Sequence, residues 1–311
     1  MSGGAGRLPV TVLMATHNGR RWLPEQWESI LSQQGVDVTL IVSDDTSDDG
    51  TYEWLCRQAA GDDRVTVLPR VPRVGGAATN FYRLITDLEV GDGHVVALAD
   101  QDDIWLPGKL AAQTALVASG DADGVSSDVT AFHDDGHREL VRKAFPQRRF
   151  DYVFESPGPG STFVLSARLV RQVQQLLADE TAVASRLEFH DWLIYGVCRA
   201  LGWPWVIQDI AWVDYRQHQG NAFGANLGLR SGWRRLCLVG ERWHRREALA
   251  LLQVALAVAP EPTRRELEEL RHLLCGTDVR SRWGLARRAG QLRRRPRDRL
   301  LLGVLMSAGI W

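Results

Sequence analysis

The chain has 311 residues with 45% hydrophobic and 24% charged content, enough to bury a sizeable core and unlike a disordered or fibrous protein. Its net charge of −1 hides a division, because residues from Ser231 onward carry 17 Arg against 8 acids, while the first 230 hold 20 Lys and Arg against 30 acids. Four dispersed cysteines without a CxxC pair argue against a zinc site or disulfide framework, and no apolar run reaches the roughly 20 residues that span a bilayer.

Residues 1–9 lack an apolar signal core and read as a disordered leader. Their Gly3-Gly4-Ala5-Gly6 precedes the first strand, whereas a phosphate-binding loop must follow one. Strand-like apolar runs then fall at 10–14, 38–43, 65–68 and 95–99, with helix-length segments at 22–34, 51–60 and 77–88. This alternation predicts right-handed βαβ units: an α/β fold with a mostly parallel central sheet flanked by helices. Ligands on such sheets bind outside the carboxyl ends of the strands. Three of those ends are polar here: Ala15-Thr16-His17-Asn18, Asp44-Asp45 and Asp100-Gln101-Asp102-Asp103.

The last of these is the most informative. Three carboxylates in four positions repel one another unless a cation intervenes, and a hard divalent ion that also takes phosphate oxygens resolves the conflict. The apolar Ile104-Trp105-Leu106-Pro107 that follows would wall a cleft, and an acidic surface turn is the plain alternative. The stretch 44–51 is either a capping turn or a place where a carboxylate accepts the N–H of a pyrimidine base.

Beyond residue 107 a strand is expected at 125–132, a loop at 156–161, helices at 167–177 and 190–201, and a strand or hairpin at 205–215. Asp191, at a helix start, is kept ionised by the helix dipole and serves either as a general base or as an N-cap. Arg216 could pair with a phosphate and His218 could bind a metal, the bland reading of His218 being a satisfied surface histidine. After an open stretch at 217–228 the chain turns helical and arginine-rich, with nine Arg between 280 and 299 interleaved with Trp283, Leu285, Leu292, Leu300 and Leu301. Such a basic amphipathic extension would suit an anionic leaflet, and a packed extension with solvated arginines or an oligomer interface is the alternative. Nucleic acid is disfavoured as a partner because the rest of the chain is acidic.

Taken in order, these segments resemble family 2 glycosyltransferases with a glycosyltransferase-A fold, from residue 10 to about 224. The resemblance rests on Val10 to Gly19, Trp27 to Gln34, Ser43 to Thr51, Gly75 to Phe81 and Ala99 to Leu106. With His190-Asp191-Trp192 and Tyr215 to Asn221 it looks most like the rhamnosyltransferase branch, although His17 stands where Tyr is commoner. It implies a catalytic domain at 10–229 and a helical extension at 230–311. It further implies a metal-dependent inverting transfer of a sugar onto a hydroxyl of a glycan or lipid-linked glycan. The donor would be dTDP-rhamnose, with a UDP-sugar the nearest rival.

Residue by residue, the resemblance implies that Ala15, Thr16, His17 and Asn18 line the nucleoside pocket, and that Asp45 binds the base with Asn80 beside it. Asp100 and Gln101 would touch the nucleotide; Asp100, Asp102 and His218 would hold Mg or Mn. Asp191 would be the catalytic base, with His190, Trp192 and Trp105 on the acceptor side. The implied location is cytoplasmic, peripheral at the inner membrane face, with a homo-oligomer as a further partner. An idle glycan-binding scaffold would have lost Asp45, Asp100, Asp102 or Asp191, and a nucleotidylyltransferase would carry its phosphate loop after the first strand.

Overall fold

The computed structural model describes residues 7–72, 75–179, 182–218 and 243–310. Strands β1 (Leu8–Thr16), β2 (Val36–Asp44), β3 (Val65–Val67) and β4 (Val95–Ala99) alternate with helices α1 (Leu23–Leu31), α2 (Thr51–Ala59) and α3 (Ala77–Asp87). The four strands pair in parallel in the order β3-β2-β1-β4. The first strand begins at Leu8, paired with Val36, so Leu8 and Pro9 belong to the sheet and not to a leader. Both faces of these strands are covered: Val10, Val12 and Met14 enter one core, Leu13 and Ala15 the other.

Next come β5 (Ile104–Trp105), α4 (Lys109–Ala118), β6 (Gly124–His133), β7 (Arg138–Val141), β8 (Val164–Ser166), α5 (Ala167–Leu177), α6 (His190–Ala200) and β9 (Trp205–Gln217). The full order is β3-β2-β1-β4-β8-β6-β9-β5, with β7 on β6. Here β8 runs antiparallel to both its neighbours, β5 antiparallel to β9, and β6 parallel to β9. The sheet is therefore parallel through β4 and mixed beyond it, more so than the alternation of the first hundred residues suggests. The 205–215 segment is one strand that continues to Gln217, and that extra length carries His218 to the mouth of the sheet.

Among the described residues four helices follow: α7 (Trp243–Val258), α8 (Thr263–Cys275), α9 (Val279–Leu292) and α10 (Pro296–Ala308). They bury Leu251, Leu252, Leu270, Leu292 and Met306 in the same core as Trp192 and Tyr195. Gly196 on α6 permits this, since a Cβ there would run into Leu251. Leu285 and Leu292, interleaved in sequence with arginines, point into the core, whereas Val279, Trp283, Leu300, Leu301 and Val304 are exposed. Asp278 caps α9 by accepting the N–H of Ser281 at 3.0 Å, and Ser166 caps α5 through Leu169 at 3.3 Å. Among the described residues no helix is long and apolar enough to cross a membrane.

Candidate active site

The carboxyl ends of β1, β2 and β4 meet where strand order reverses around β1, the position at which open α/β sheets bind ligands. On the β1–β2 side the loops are cross-tied. Thr16 Oγ1 donates to Asp44 at 2.9 Å, and Asp44 also accepts the Ser47 N–H at 2.9 Å and its hydroxyl at 2.5 Å. Asn18 adopts a left-handed conformation, φ 51°, that a short polar side chain tolerates. Its N–H donates to Ser47 Oγ at 2.8 Å and its side-chain oxygen accepts from Asp48 N at 2.9 Å. Asn80 on α3 is buried and donates to the Ser43 and Thr16 carbonyls at 2.9 and 3.3 Å, tying the ends of the two strands together. His17 and Asn18 face solvent, with His17 Nδ1 2.7 Å from the Asp45 carbonyl.

Asp45 and Gln101 are each engaged by the protein's own backbone. The buried Asp45 carboxylate accepts the N–H groups of Gly75 and Gly76, at 3.3 and 3.0 Å, and so holds the glycine turn that opens α3. Both glycines have positive φ, 95° and 126°, which makes the turn costly for any other residue. Gln101 is committed to protein: its Oε1 accepts the His17 N–H and its Nε2 donates to the His17 carbonyl, both at 2.8 Å. The side chain completes the loop as a neighbouring strand would, and a Cβ on Gly19 would collide with it.

At the end of β4 the acidic residues part in function. Asp102 Oδ2 lies 2.7 Å from Nε2 of His218, across 116 residues of sequence, and His218 stacks on Trp22 with ring centres 4.0 Å apart. Arg216 is also turned to the protein. Its Nε donates to the Asp102 carbonyl at 2.9 Å, its N–H to Asp103 at 3.2 Å, and its guanidinium pairs with Glu25, so it braces the acid loop where a phosphate contact was expected. Burial pushes Asp100 up to about 7, with the charges of Asp102 and Asp191 adding to the rise and the nearby Ser161 hydroxyl opposing it. Asp103 is raised for the same reasons, burial first and then Asp102 and Asp100. The buried Lys109 beside it is drawn down to about 7 by burial, against the pull of Asp103.

This donor set, a carboxylate touching an imidazole among further carboxyls, fits a divalent cation. Among the described residues no third His, Cys, Asp or Glu joins Asp102 and His218 in a ligand cluster, although the charge of Asp102 is felt at Asp100. Further ligands would come from a diphosphate and water, as is usual for Mg²⁺.

Asp191 sits in the first turn of α6, where its own Oδ1 accepts the Trp192 N–H at 2.7 Å. Burial lifts it to about 6, while Ser156, the Trp192 N–H and Lys143 work the other way. Its charge is felt at Asp100 and Tyr215, within electrostatic reach of the acid loop. The three residues expected on the acceptor side, Trp105, Trp192 and His190, are all buried. Trp105 is 2% exposed, packed in the core under the Lys109 ammonium at 4.0 Å, and Trp192 is buried with its indole N–H donating to the Tyr152 carbonyl at 2.8 Å. His190 is buried as well, stacked on Phe81 at 4.0 Å and pressed against Gly160, and burial pushes it down to about 3. The Gln219-Gly220-Asn221 end of the last motif lies outside the described residues.

Over residues 11–173 the chain matches the family model described as Glycosyl transferase family 2. It is 35% identical over 250 residues, 80% of this chain and 85% of the relative, to the dTDP-rhamnosyl transferase RfbG of Shigella flexneri. A shorter likeness, 28% over 108 residues, covers 35% of this chain and 40% of the UDP-Glc:alpha-D-GlcNAc-diphosphoundecaprenol beta-1,3-glucosyltransferase WfgD of Escherichia coli. Among solved structures, S. aureus TarS 1-349 in complex with UDP-GlcNAc aligns with a TM-score of 0.59 over 94% of this chain and 79% of that one, at 13% identity, a likeness of fold.

Proposed function

The chain belongs to glycosyltransferase family 2, and from that premise we propose that it moves rhamnose from a dTDP donor onto a hydroxyl of a lipid-linked glycan, with inversion at the anomeric carbon. The observation that carries the reading is the meeting of Asp102 and His218 at 2.7 Å beside Asp100, with the ionisable Asp191 within electrostatic reach. The identity to RfbG over most of both chains favours the rhamnosyl donor. A UDP-sugar is the second reading, favoured by the shorter likeness to WfgD.

The exposed His17 and Asn18, on loops braced by Asp45, Asn80 and Gln101, present the surface for the nucleoside. Asp102 and His218 would hold a divalent cation, which supplies neutralisation of the diphosphate charge. Asp191, with a carboxyl near 6, is ionised at neutral pH and more basic than an ordinary carboxylate. It takes the proton from the acceptor hydroxyl as that oxygen bonds to the anomeric carbon. The bond from that carbon to the diphosphate oxygen breaks on the opposite face, and the nucleoside diphosphate departs with the bonding pair.

A lipid-linked acceptor is supported by the outer face of the α9–α10 pair. At 100° per residue, Trp283 and Arg287 lie opposite the buried Leu285, and Leu300 and Val304 lie opposite the buried Leu302. Trp283, Leu300 and Val304 are 54%, 75% and 66% exposed, with exposed Arg280, Arg282, Arg287 and Arg297 around them. Apolar side chains set among arginines match an anionic leaflet, each arginine contributing about 1 kcal/mol near such a surface. The enzyme would then work in the cytoplasm at the inner membrane face.

The test is calorimetric titration of dTDP, UDP, GDP and CMP with Mg²⁺, Mn²⁺ or chelator. Tight, metal-dependent binding of dTDP supports the proposal, preference for UDP moves it to the second reading, and no binding by any of the four rejects both.

A further inference from the structure

Arg294 lies between α9 and α10, far in sequence from the residues above, yet it is only 3% exposed. Its backbone N–H donates to Glu155 Oε1 at 2.5 Å, and its guanidinium donates to the Ser156 carbonyl at 2.6 Å and to Asp151 Oδ2 at 3.3 Å. Neighbouring groups pull the same way. The Gln291 carbonyl accepts the Phe150 N–H at 3.0 Å, and Arg293 pairs with Glu155 at 3.6 Å. Arg299 holds the carbonyls of Arg293 and Arg294 at 3.1 and 2.6 Å.

The clamped segment touches the catalytic side in two ways. Asp151 accepts from Tyr195 at 2.8 Å and Arg199 at 3.2 Å, both on α6, whose first turn carries Asp191. Ser156, at the other end, donates to the Gly158 carbonyl at 2.7 Å and lies beside the Asp191 carboxylate. The buried guanidinium thus ties the 151–156 segment to the α9–α10 connection, and Asp151 ties the same segment to the helix that bears Asp191. Misplacing a reacting group by about 1 Å can cost about 100-fold in rate, so the clamp bears on turnover as well as on stability.

We propose that Arg294 is a positioning residue for transfer: it fixes the 151–156 segment, which Asp151 ties to α6, so that Ser156 and Asp191 keep one geometry, making the C-terminal helices part of the support of the active site. The proposal rests on Asp191 as the base, so Asp191→Asn is measured beside the Arg294 variants.

The assay follows dTDP release from dTDP-rhamnose in the presence of a membrane lipid extract, with dTDP affinity by calorimetry. For Arg294→Lys, which keeps the charge and loses the fork, kcat should fall by roughly 30-fold or more while the dTDP Kd stays within about threefold. Amides of residues 150–158 should exchange with deuterium about tenfold faster, those of β1 and β2 unchanged. Ethylguanidinium should restore part of the activity of Arg294→Ala. Should the Arg294 variants not fold, Glu155→Gln weakens the same clamp from its other side and is read in the same way. A folded variant with kcat within twofold of wild type, or with kcat and affinity falling together, overturns the proposal. An active Asp191→Asn removes the base assignment and this inference with it, whereas an inactive Asp191→Asn beside an undisturbed Arg294→Lys overturns the inference alone.

Discussion

Replacing Gln101 with leucine separates two roles for a residue that sits between the carboxylates Asp100 and Asp102. In the structure its amide both accepts from and donates to the backbone of His17 at 2.8 Å. Leucine keeps the bulk and removes both bonds. His17 is exposed, so water can satisfy its freed N–H and carbonyl. The loss is then the net worth of two hydrogen bonds, about 0.5–1.5 kcal/mol each, and not the larger penalty of buried orphaned groups. Stability should fall by about 1–3 kcal/mol. The 15–18 loop must be re-ordered when nucleotide binds, so dTDP affinity should weaken by about tenfold, equal to about 1.4 kcal/mol. Urea unfolding and calorimetric titration read the two quantities on the same samples. Gly19→Ala adds a check, since the new methyl would strike the Gln101 amide. Its penalty should shrink in a Gln101→Ala background, a coupling of about 0.5–3 kcal/mol. Wild-type stability with affinity weakened more than about 100-fold would mean that the amide touches the nucleotide and is no brace, and a variant unchanged in both would refute the brace as well.

Asp191→Asn should lower transfer by about 10²–10⁴-fold with the dTDP Kd nearly unchanged, and turnover near the wild-type rate would remove the base assignment. Because the Asp191 carboxyl is raised to about 6 and acts ionised, kcat/KM should be constant above that value and fall as pH drops through about 6; a flat profile down to pH 4.5 would contradict it. His218→Ala should raise the Mg²⁺ concentration needed for dTDP binding by about tenfold or more, since Asp102 loses its partner, and an unchanged requirement would take His218 out of the metal site. Leu300→Asp with Val304→Asp should abolish co-sedimentation with phosphatidylglycerol vesicles while leaving dTDP affinity intact. Equal binding to phosphatidylcholine vesicles, or a dimer in light scattering that the pair dissociates, would redirect that face to another partner.

The first hundred residues disclosed most of their architecture because local signals agree. Apolar runs at 95–99 and 38–43 end in carboxylates, and the structure has strands over Val95–Ala99 and Val36–Asp44. The acid loop was legible for the same reason. What sequence could not disclose is long-range pairing. Nothing local says that β9 runs on to Gln217 beside β6 and so delivers His218 to Asp102. Nor does composition distinguish an arginine that meets phosphate from Arg216, which is spent on Asp102, Asp103 and Glu25. Trp105 and Trp192 lie within two residues of Asp103 and Asp191 in sequence, but long-range packing buries both, which neighbouring residues do not announce. Arg294 was one of nine arginines in a basic tail, and only packing against Asp151 and Ser156 sets it apart.

Incubating the enzyme with dTDP-rhamnose, Mg²⁺ and a membrane lipid extract, with both products followed by NMR, decides the proposed transfer. Metal-dependent inverting transfer requires release of dTDP, stopped by chelator, together with a lipid-linked rhamnoside whose anomeric configuration is opposite to that of the donor. Pyrophosphate in place of dTDP, or a product that keeps the donor's configuration, would contradict it.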